Sequence, residues 1–561
     1  MKKIKKYLVG LMVIGSLAYS CSGPEVAPAT DTVFAPPATI PGVPLPSDAE
    51  QGAMLHAHTW PFSSVEQAMA DIAGAGFNSV QVSPVNKTKD SAPWWILYQP
   101  CDLNIGNSVL GTEAEFRSMC ATARNYGVKI IVDVVLNHVG NNGNDGQWAD
   151  ELDPALRNSS YFRFNGRTIN YQNRYELTQK DLGNPGLPDW NTQNGTVQQL
   201  HIDFLNKCID AGAGGFRFDA AKHIETSGGE DAGQPWASNY WENVLGNLNN
   251  RGSLYLFGEV LPDGGDNDEQ YQNYYDITAH DYGGALRSAV RNRDVTGLGT
   301  IWHHGQGLNP AKALVYVENH DDYENDQDNA PQLDVWQRKM GYAMAASRAA
   351  VTPRLFDRPG SEDVWKDSDV SLINHFRNAM IGQNEYVRFP RQETLVVDRG
   401  NIGTAIINLG EGFDLNTPTN LNGGSYNGNG GNFNVSGGNL SGFVAAGAVI
   451  VLYNGTSYGN GSGGGNGGGD QGGDNSVTTI YAHYDVGFGN SLFIRGDSGP
   501  LSWSGGIQMT NVNATTWMWQ TSDFAEGQKF ECKVLINDSQ WATNSNWWVY
   551  GGETVDIYPN F

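Results

Sequence analysis

Short hydrophobic runs alternate with stretches of helical periodicity between residues 51 and 391. Six of the runs are GAMLHAH, SVQVSPV, VKIIVDVVL, GGFRFDA, LYLFGEV and LVYVENHD. In TVQQLHIDFLNKCIDAGA, one helical face carries Val197, Phe204, Leu205, Cys208 and Ile209. Alternating strands and helices predict a parallel sheet, and about 340 residues suit a (β/α)8 TIM barrel with an insertion.

The spacing of the runs also predicts further domains. About 75 residues separate VKIIVDVVLNH from GGFRFDA, more than one crossover helix needs, so an Asn- and Gly-rich domain is inserted after strand 3. Later segments such as TLVVDRG and GTAIINLG predict an antiparallel β domain, and a Gly-rich linker precedes an all-β sandwich module. The predicted order is signal peptide (1–20), Pro/Ala-rich tether (21–49), barrel (50–139 and 191–391), inserted domain (140–190), β domain (392–455), linker (456–476) and module (477–561).

The first residues have the pattern of an export signal. Four lysines precede a hydrophobic run from Tyr7 to Ala18 that is too short to cross a bilayer. Cleavage before Cys21, with lipid attached to its thiol, would give a cell-surface lipoprotein. Cleavage by an ordinary signal peptidase would instead give a secreted protein. Both interpretations place the protein outside the cytoplasm, with membrane contact only through a lipid on Cys21.

Composition narrows the class of substrate. Lys and Arg number 35 against 60 Asp and Glu, a net charge of −25 that argues against binding nucleic acid or anionic membranes. The 16 Trp and 24 Tyr suit a protein that acts on carbohydrate, although core packing must account for many of these rings. We expect a soluble monomer that acts on a neutral polymer.

Four cysteines follow Cys21 along the chain. Cys101 and Cys120 flank a short segment and could pair in an oxidising compartment. Cys208 lies on a predicted helix and Cys532 is distant in sequence. The alternative is four buried free thiols, and the spacings do not suggest a zinc site.

Three acidic residues follow three of the predicted strands. Asp219 ends GFRFD, Glu259 follows LYLFG, and Asp321 lies in ENHD. The C-terminal ends of barrel strands meet on one face, where such folds carry their active sites. Three carboxylates in one cleft indicate acid/base chemistry on a substrate without strong charge, and a sugar is the leading candidate.

The neighbours of these carboxylates suggest separate roles. Arg217 shares a strand face with Asp219 and is expected to keep it ionised, as a nucleophile requires. Burial and like charges are expected to raise the pKa of Glu259, which suits a general acid. Asp321 would stabilise positive charge at the anomeric carbon. Retaining glycosidases need acid and nucleophile about 5 Å apart, a separation that neighbouring strand ends offer.

The blocks DVVLNH, GFRFDAAKH, FGEV and ENHD, in that order, closely resemble those of the α-amylase family of glycoside hydrolases. WWILYQP and LPDWN are two further matches, and the resemblance covers about residues 50–455. It implies a TIM barrel, a domain inserted after strand 3 and a C-terminal β domain. It also implies that Asp219 is the nucleophile, Glu259 the acid/base and Asp321 the transition-state stabiliser.

The same resemblance implies a set of substrate-binding residues. His138 and His320 would bond sugar hydroxyls, and Tyr98 would stack beneath the ring. The implied set is Trp94, Trp95, Tyr98, Gln99, His138, Arg217, Lys222, His223 and His320, with Asp133 as a structural carboxylate near Arg217. The alternatives are structural histidines and, for Trp94 and Trp95, core packing.

Two ion sites are also implied. Ca²⁺ would be bound by Asn137, Asp189, the backbone carbonyl of His223 and, as a further candidate, Thr178, clamping the inserted domain to the barrel. The alternative is a polar contact without a metal. Some family members bind chloride, for which this chain offers Arg217, Asn319 and Arg354. The anion would separate two buried guanidinium groups and help keep Glu259 protonated. The alternative is that Arg354 pairs with Glu318, Asp357 or another acid.

The final module resembles small β-sandwich starch-binding modules. Trp503 and Trp541 are candidates for a sugar platform, whereas Trp517 and Trp519, at strand alternation, are expected in the core. The whole pattern predicts an endo-acting α-amylase that hydrolyses internal α-1,4-glucosidic bonds with retention. Its partners would be starch, amylose, amylopectin and maltooligosaccharides. The alternatives are an exo-acting enzyme or transglycosylase of the same family, and a surface protein that binds glucan without cutting it.

Overall fold

The structure is a computed structural model that describes most of the chain. The described residues are 45–89, 93–262, 268–303, 306–360, 363–453, 478–487, 490–513, 515–521, 524, 528–551 and 553–561. The predicted signal peptide, Cys21, most of the tether and the linker lie outside them. The chain divides into two compact units, Met1–Gly455 and Thr456–Phe561. No helix in the described part of the chain has the length and hydrophobicity to cross a membrane.

Eight parallel strands close into a barrel, which confirms the predicted fold class. They are β1 (Met54–Ala57), β2 (Ser79–Val82), β3 (Lys129–Val135), β4 (Gly215–Asp219), β5 (Tyr255–Gly258), β6 (Asp276–Thr278), β7 (Ala313–Tyr316) and β8 (Thr352–Phe356). Strand β1 closes the barrel because Met54 aligns with Ser79 of β2 and with Arg354 of β8. Burial on both faces explains why the strands appear in the sequence as continuous hydrophobic runs.

Helices alternate with the strands, and several of them begin at side-chain caps. They are α1 (Phe62–Gly74), α2 (Glu113–Asn125), α3 (Arg174–Gln179), α4 (Gly195–Ala211), α5 (Tyr240–Gly246), α6 (Asp268–Tyr271), α7 (His280–Asn292), α8 (His320–Glu324), α9 (Val335–Ser347) and α10 (Ser368–Ala379). Thr112 and Glu115 form a capping box at the start of α2. Helix α4 begins at the Asn194 cap and ends at Gly212, whose φ of 112° favours glycine.

The segment between β3 and α4 contains only short elements around a small core. That core includes Val139, Leu152, Leu156, Phe162 and Trp190. Phe162 and Trp190 stack with their ring centroids 4.4 Å apart. An isolated bridge pairs His138, just after β3, with Asp189 near the end of the segment. The insertion is therefore tied back to the rim of the barrel at both ends.

Two four-stranded antiparallel sheets follow the barrel within the first unit. Their strands are β9 (Glu385–Arg391), β10 (Thr394–Arg399), β11 (Gly403–Asn408), β12 (Phe413–Pro418), β13 (Gly424–Gly428), β14 (Gly431–Ser436), β15 (Asn439–Val444) and β16 (Val449–Tyr453). The strand orders are β9-β10-β11-β16 and β12-β15-β14-β13. Alternating residues of both sheets, such as Ile406 and Phe433, form one hydrophobic core.

The second unit contains two further sheets, ordered β20-β21-β17-β25 and β19-β18-β22-β23, with β24 also paired to β22. The strands are β17 (Thr478–His483), β18 (Leu492–Gly496), β19 (Ile507–Gln508), β20 (Thr510–Asn513), β21 (Thr516–Thr521), β22 (Lys529–Ile536), β23 (Gln540–Trp541), β24 (Trp547–Tyr550) and β25 (Thr554–Ile557). Trp517 and Trp519 lie in the core between the sheets, as predicted.

Cys101, Cys120, Cys208 and Cys532 are buried free thiols. The alternative of four free thiols is therefore correct, and the pairing of Cys101 with Cys120 is wrong. Cys120 lies on the buried face of α2, next to Gly212 at the end of α4. Burial raises the pKa of its thiol to about 12, so this cysteine packs as a small hydrophobic side chain.

Candidate active site

The three acidic residues singled out from the sequence approach one guanidinium group at the C-terminal ends of the strands. Asp219 is the last residue of β4, Glu259 directly follows β5, and Asp321 lies in the first turn of α8. Arg217 Nη1 lies 2.6 Å from Asp219 Oδ1, and its Nη2 lies 3.1 Å from Glu259 Oε2. Burial, followed by repulsion from Glu259, raises the pKa of Asp321 to about 8. The three carboxylates therefore interact as one cluster.

A buried hydrogen-bond network holds Arg217 in place. Arg217 Nη1 also donates to Asp133 Oδ1 at 2.8 Å. The other oxygen of Asp133 accepts from the Tyr98 hydroxyl at 3.0 Å and from Gln81 Nε2 at 3.2 Å. Since each group is fixed by at least one partner, the guanidinium presents Asp219 and Glu259 in a defined arrangement.

The pKa shifts of Asp219 and Glu259 differ from those expected. Burial raises the pKa of Asp219 well above its ordinary value, and repulsion from Glu259 adds to this despite the attraction of Arg217. Burial would also raise the pKa of Glu259, but Arg217 and the backbone N–H of Ala220 hold it below its ordinary value. Both directions are opposite to those expected from the sequence, because Arg217 reaches both carboxylates.

The contact from Ala220 depends on an unusual backbone conformation. Ala220 has a φ of 48°, in the left-handed region that residues with a side chain rarely adopt. This turn follows Asp219 directly and brings the N–H of Ala220 to 3.0 Å from Glu259 Oε2. Strained backbone of this kind clusters at functional sites, where surrounding structure stabilises it.

Aromatic residues form one wall beside the carboxylates. Tyr98 and His320 stack with centroids 4.9 Å apart and planes 5° apart. Trp94 meets both rings edge-on, at 6.0 Å from Tyr98 and 5.5 Å from His320. Trp95 is 43% exposed, so the core-packing alternative is wrong for this side chain. His138 Nε2 bonds the Tyr98 carbonyl at 3.0 Å, and burial lowers the pKa of His138 to about 4.

The remaining predicted substrate residues lie at the edge of this wall or towards the insertion. Gln99 is half-buried, and its Oε1 has no hydrogen-bond partner among the described residues. The Lys222 ammonium lies over the Tyr171 ring at 5.4 Å, a cation–π contact with the insertion. His223 Nδ1 bonds the Leu177 carbonyl of α3 at 2.8 Å, so its ring is anchored to the insertion.

The candidate calcium residues meet where the insertion contacts the barrel. The Asn137 amide oxygen lies 3.2 Å from Asp189 Oδ1 and 3.2 Å from the His223 carbonyl, so three oxygen atoms face one another. This donor set suits Ca²⁺, which prefers oxygen ligands. The alternative is an amide turned so that its nitrogen donates to both oxygens. Thr178 is linked to Asp189 through Arg163, whose Nη1 donates to the Thr178 carbonyl at 3.2 Å.

The candidate chloride residues include Arg354, whose guanidinium has an N–H donor without a partner among the described residues. Arg354, on β8, is buried, and none of the ion pairs in the described part of the chain includes it. Its Nη1 donates to Gln81 Oε1 at 2.7 Å, while its Nε has no partner among the described residues. Burial lowers the pKa of Arg354, and repulsion from Arg217 lowers it further.

The acidic partners considered for Arg354 are engaged elsewhere. Glu318 pairs with Arg358 at 2.7 Å, and Asp357 accepts from the Trp60 indole at 3.2 Å. Pairing of Arg354 with either acid is therefore wrong. Asn319 uses its amide oxygen to cap α8, accepting from the Asp322 N–H at 2.8 Å, which leaves its amide nitrogen for another partner.

In the second unit, Trp503 and Trp541 lie next to each other as the sequence suggested. Their ring centroids are 6.3 Å apart with planes tilted by 35°. Trp541 is 42% exposed. Arg495 supports the pair, because its guanidinium lies 5.2 Å from the Trp541 ring and donates to the Trp503 carbonyl at 2.9 Å.

Sequence reasoning missed several residues that build the site. Gln81 links Arg354 to Asp133, and Arg163 pairs with both Asp189 and Glu225 at 2.9 and 2.8 Å. An amide side chain between two valines in the run SVQVSPV was a signal for Gln81. No local pattern marks Arg163, since its partners are far away in the sequence.

Comparison with known proteins places these features in a family. The family described as "Alpha amylase, catalytic domain" matches residues 64–283. The α-amylase of Clostridium acetobutylicum is 44% identical over 455 residues, which cover 78% of this chain and 58% of that protein. The α-amylase of Butyrivibrio fibrisolvens is 33% identical, covering 72% of this chain and 47% of that protein. The chain thus spans about half the length of these two relatives.

Two solved structures share the fold of this chain. A third relative in sequence is matched over most of its own length. A mutant of α-amylase I from Eisenia fetida in complex with maltohexaose has a TM-score of 0.60 at 22% identity, covering 73% of this chain and 98% of that chain. The γ-CGTase from Alkalophilic bacillus clarkii has a TM-score of 0.58 at 13% identity, covering 92% and 99%. Mouse pancreatic α-amylase 2a5 is 30% identical over 371 residues, covering 60% of this chain and 68% of that protein. The chain therefore belongs to the α-amylase family.

Proposed function

We propose that this protein is an endo-acting α-amylase that hydrolyses internal α-1,4-glucosidic bonds of starch and related glucans with retention. One observation carries the proposal: Asp219 and Glu259 contact the two ends of a single guanidinium, with Asp321 in the same cluster. Glycosidases use such a carboxylate pair, and a close separation of about 5 Å corresponds to retention.

In the proposed mechanism, Asp219 attacks the anomeric carbon while Glu259 protonates the departing glycosidic oxygen. Glu259 then removes a proton from water, which releases the sugar from Asp219. The pKa values of Asp219 and Asp321 are raised and that of Glu259 is lowered. The general-acid step therefore needs a proton to reach Glu259 before the glycosidic oxygen departs.

The aromatic wall provides the surface on which the substrate binds. Tyr98 and His320 stack on each other beside the carboxylates and form the inner part of this wall, and sugars present flat apolar faces to aromatic rings. Exposed Trp95 and half-buried Trp94 extend this surface for neighbouring glucose units. Because the substrate carries no charge, stacking and hydroxyl hydrogen bonds supply most of its affinity. Amylose, amylopectin and maltooligosaccharides all present these features.

Calcium and chloride belong to the same proposal. Ca²⁺ bound by Asn137, Asp189 and the His223 carbonyl would tie the insertion to the barrel and so shape the cleft. Chloride held by Arg354, Arg217 and the Asn319 amide would offset the repulsion between two buried guanidinium groups. It would also weaken the hold of Arg217 on Glu259, which favours the protonated acid.

The remaining parts of the proposal concern location and the second unit. The export signal supports a secreted protein or a lipoprotein anchored through Cys21, and we propose that it acts as a monomer. Trp503 and Trp541 support a starch-binding role for the second unit, since two adjacent tilted rings suit stacking on glucose.

Release of reducing ends from soluble starch tests the proposal. We expect Glu259→Gln to keep starch binding and to lose at least about 100-fold in turnover, since general acid catalysis contributes about 10²–10⁴. Glu411→Gln, at an exposed position in the β domain, is the matched control. A Glu259→Gln variant as active as this control would refute the assignment. A slow fall in iodine staining relative to reducing ends would instead indicate exo action.

A further inference from the structure

Three histidines lie together behind the aromatic wall. His56 lies in β1, His58 directly follows that strand, and His320 is the first residue of α8. One ring nitrogen from each lies within 4.8 Å of the others. The rings of His58 and His320 stack at 5.1 Å, and His56 meets each of them edge-on at 5.6 Å. All three side chains are at most 3% exposed.

Four ring nitrogens of this histidine cluster have no hydrogen-bond partner within the described residues. They are Nδ1 of His56, both nitrogens of His58 and Nδ1 of His320. A buried polar atom without a partner costs about 1–3 kcal/mol, so folds rarely collect several of them in one place. The proposed hydrolysis explains a sugar contact for His320 but gives no role to His56 or His58.

The surroundings of the cluster favour a ligand over a further protein contact. Period-two alternation in MLHAH puts His56 and His58 on the same face of the chain. Trp94 and Phe356, each with its ring centroid 5.7 Å from that of His58, form hydrophobic walls. Neither of these two rings offers a strong acceptor to the unpartnered nitrogens.

Two carboxylates beside the cluster could balance a positive ion. Asp321 Oδ2 lies 3.4 Å from His320 Nε2, and Glu324 Oε1 lies 4.0 Å from His58 Nε2. The Glu324 side chain is 23% exposed and therefore links the cluster to solvent. Imidazole nitrogens with one carboxylate are a ligand set that Zn²⁺ and similar ions prefer, whereas Ca²⁺ prefers oxygen.

We propose that His56, His58 and His320 bind a divalent transition-metal ion such as Zn²⁺, with Glu324 within reach of the fourth position. Zn–N bonds of about 2.0–2.1 Å require the rings to turn towards the ion. An ion held there takes His320 away from the sugar, so occupancy of this site inhibits hydrolysis. The inhibitory step rests on the proposed function, whereas the metal site itself does not.

Metal titration tests the site directly. The full-length protein is stripped with a chelator, returned to calcium and titrated calorimetrically with Zn²⁺ alone. We expect the wild type to bind one equivalent that His58→Phe binds at least tenfold more weakly. His483→Gln, in the second unit, is the matched control and should leave this equivalent unchanged. Equal affinity in the wild type and His58→Phe, or no bound equivalent in the wild type, would overturn the proposal.

The visible absorption spectrum of bound Co²⁺ tests the site on the wild type, without variants that could fail to fold. Co²⁺ added to the wild type should give the strong visible bands of a four-coordinate ion, and Zn²⁺ should abolish them. Glu324→Gln, at a partly exposed position, should weaken binding while keeping the fold. The absence of such bands in the wild type would overturn the histidine ligand set.

Competition separates the inhibitory step from the proposed function. Maltohexaose binding is first measured on Glu259→Gln by calorimetry, which shows whether the site takes sugar at all. With maltohexaose at 100 times its Kd, we expect the apparent Zn²⁺ affinity of that variant to fall about 100-fold. An unchanged Zn²⁺ affinity despite measured sugar binding would overturn the inhibitory step, whereas failure of the sugar to bind would count against the proposed function.

Discussion

Arg163→Met removes the cation that pairs with two buried acids, Asp189 of the insertion and Glu225 of the barrel. Arg163 Nη1 lies 2.9 Å from Asp189, and its Nη2 lies 2.8 Å from Glu225 and 2.7 Å from the Thr192 hydroxyl. The three charged side chains are 5%, 1% and 0% exposed. Methionine fills similar space without charge, so two carboxylates are left buried and without their ion-pair partner.

The size of the effect follows from these contacts. Removing one partner of a buried ion pair costs about 3–5 kcal/mol, and because two anions lose their partner we expect about 5 kcal/mol in the free energy of unfolding. Ca²⁺ at Asp189 would replace part of the lost positive charge. The substitution and the removal of calcium both act on Asp189, and the effects of two such coupled changes depart from additivity by about 0.5–3 kcal/mol. The loss of unfolding free energy caused by Arg163→Met should therefore be at least about 1 kcal/mol smaller in calcium than in EDTA.

Urea unfolding followed by circular dichroism at the helical minimum measures this loss. The described helices all belong to the first unit, so the signal reports the barrel and its insertion. Arg157→Met is the matched control, because Arg157 is exposed in the same segment and donates to backbone carbonyls, including that of Leu152. A loss no larger than that of the control would refute the ion-pair argument. An equal loss in calcium and in EDTA would refute Asp189 as a calcium ligand.

Three further predictions concern starch binding by the second unit, stimulation by chloride and the pH dependence of stability. Trp541→Ala should weaken binding to granular starch by about 1–3 kcal/mol in a pull-down assay, whereas Trp548→Ala, exposed elsewhere on the second unit, should not. Arg354→Leu should abolish any stimulation of activity by chloride; stimulation equal to that of the wild type would exclude Arg354 from the anion site. Burial raises the pKa of Asp357 from 3.8 to about 7, so the folded chain keeps a proton that the unfolded chain releases, and stability falls as the pH rises from about 4 to 7. Asp357→Asn should therefore unfold like the wild type at pH 4 and be about 2–4 kcal/mol more stable at pH 8; equal urea midpoints at both pH values would contradict this.

The barrel and its carboxylates could be predicted because both depend on local pattern. Asp219 and Glu259 each end a hydrophobic run, and parallel strands bring such ends to one face. Alternation along GFRFD likewise placed Arg217 beside Asp219. The second contact of Arg217 depends on the register between β4 and β5, where Arg217 aligns with Phe257 and not with Glu259. Local sequence does not contain that register, so the order of the pKa values was predicted wrongly.

Other contacts of the site could not be predicted because they join residues that are far apart in the sequence. Arg163 and Glu225 are 62 residues apart, and Arg354 and Gln81 are 273 residues apart, so no spacing rule connects them. His56 and His58 share a strand face that the sequence displays, but their third partner, His320, begins the helix after β7, far along the chain. Only closure of β1 against β8 brings these residues together.

The proposed mechanism makes Asp219 the nucleophile and Glu259 the acid/base on one α-glucosidic bond. Proton NMR of maltohexaose in the first minutes of cleavage, before the products mutarotate, distinguishes retention from inversion. We expect the new reducing ends to appear as the α-anomer, because double displacement retains configuration. Initial formation of the β-anomer would contradict it, since inversion requires a water molecule between the two carboxylates.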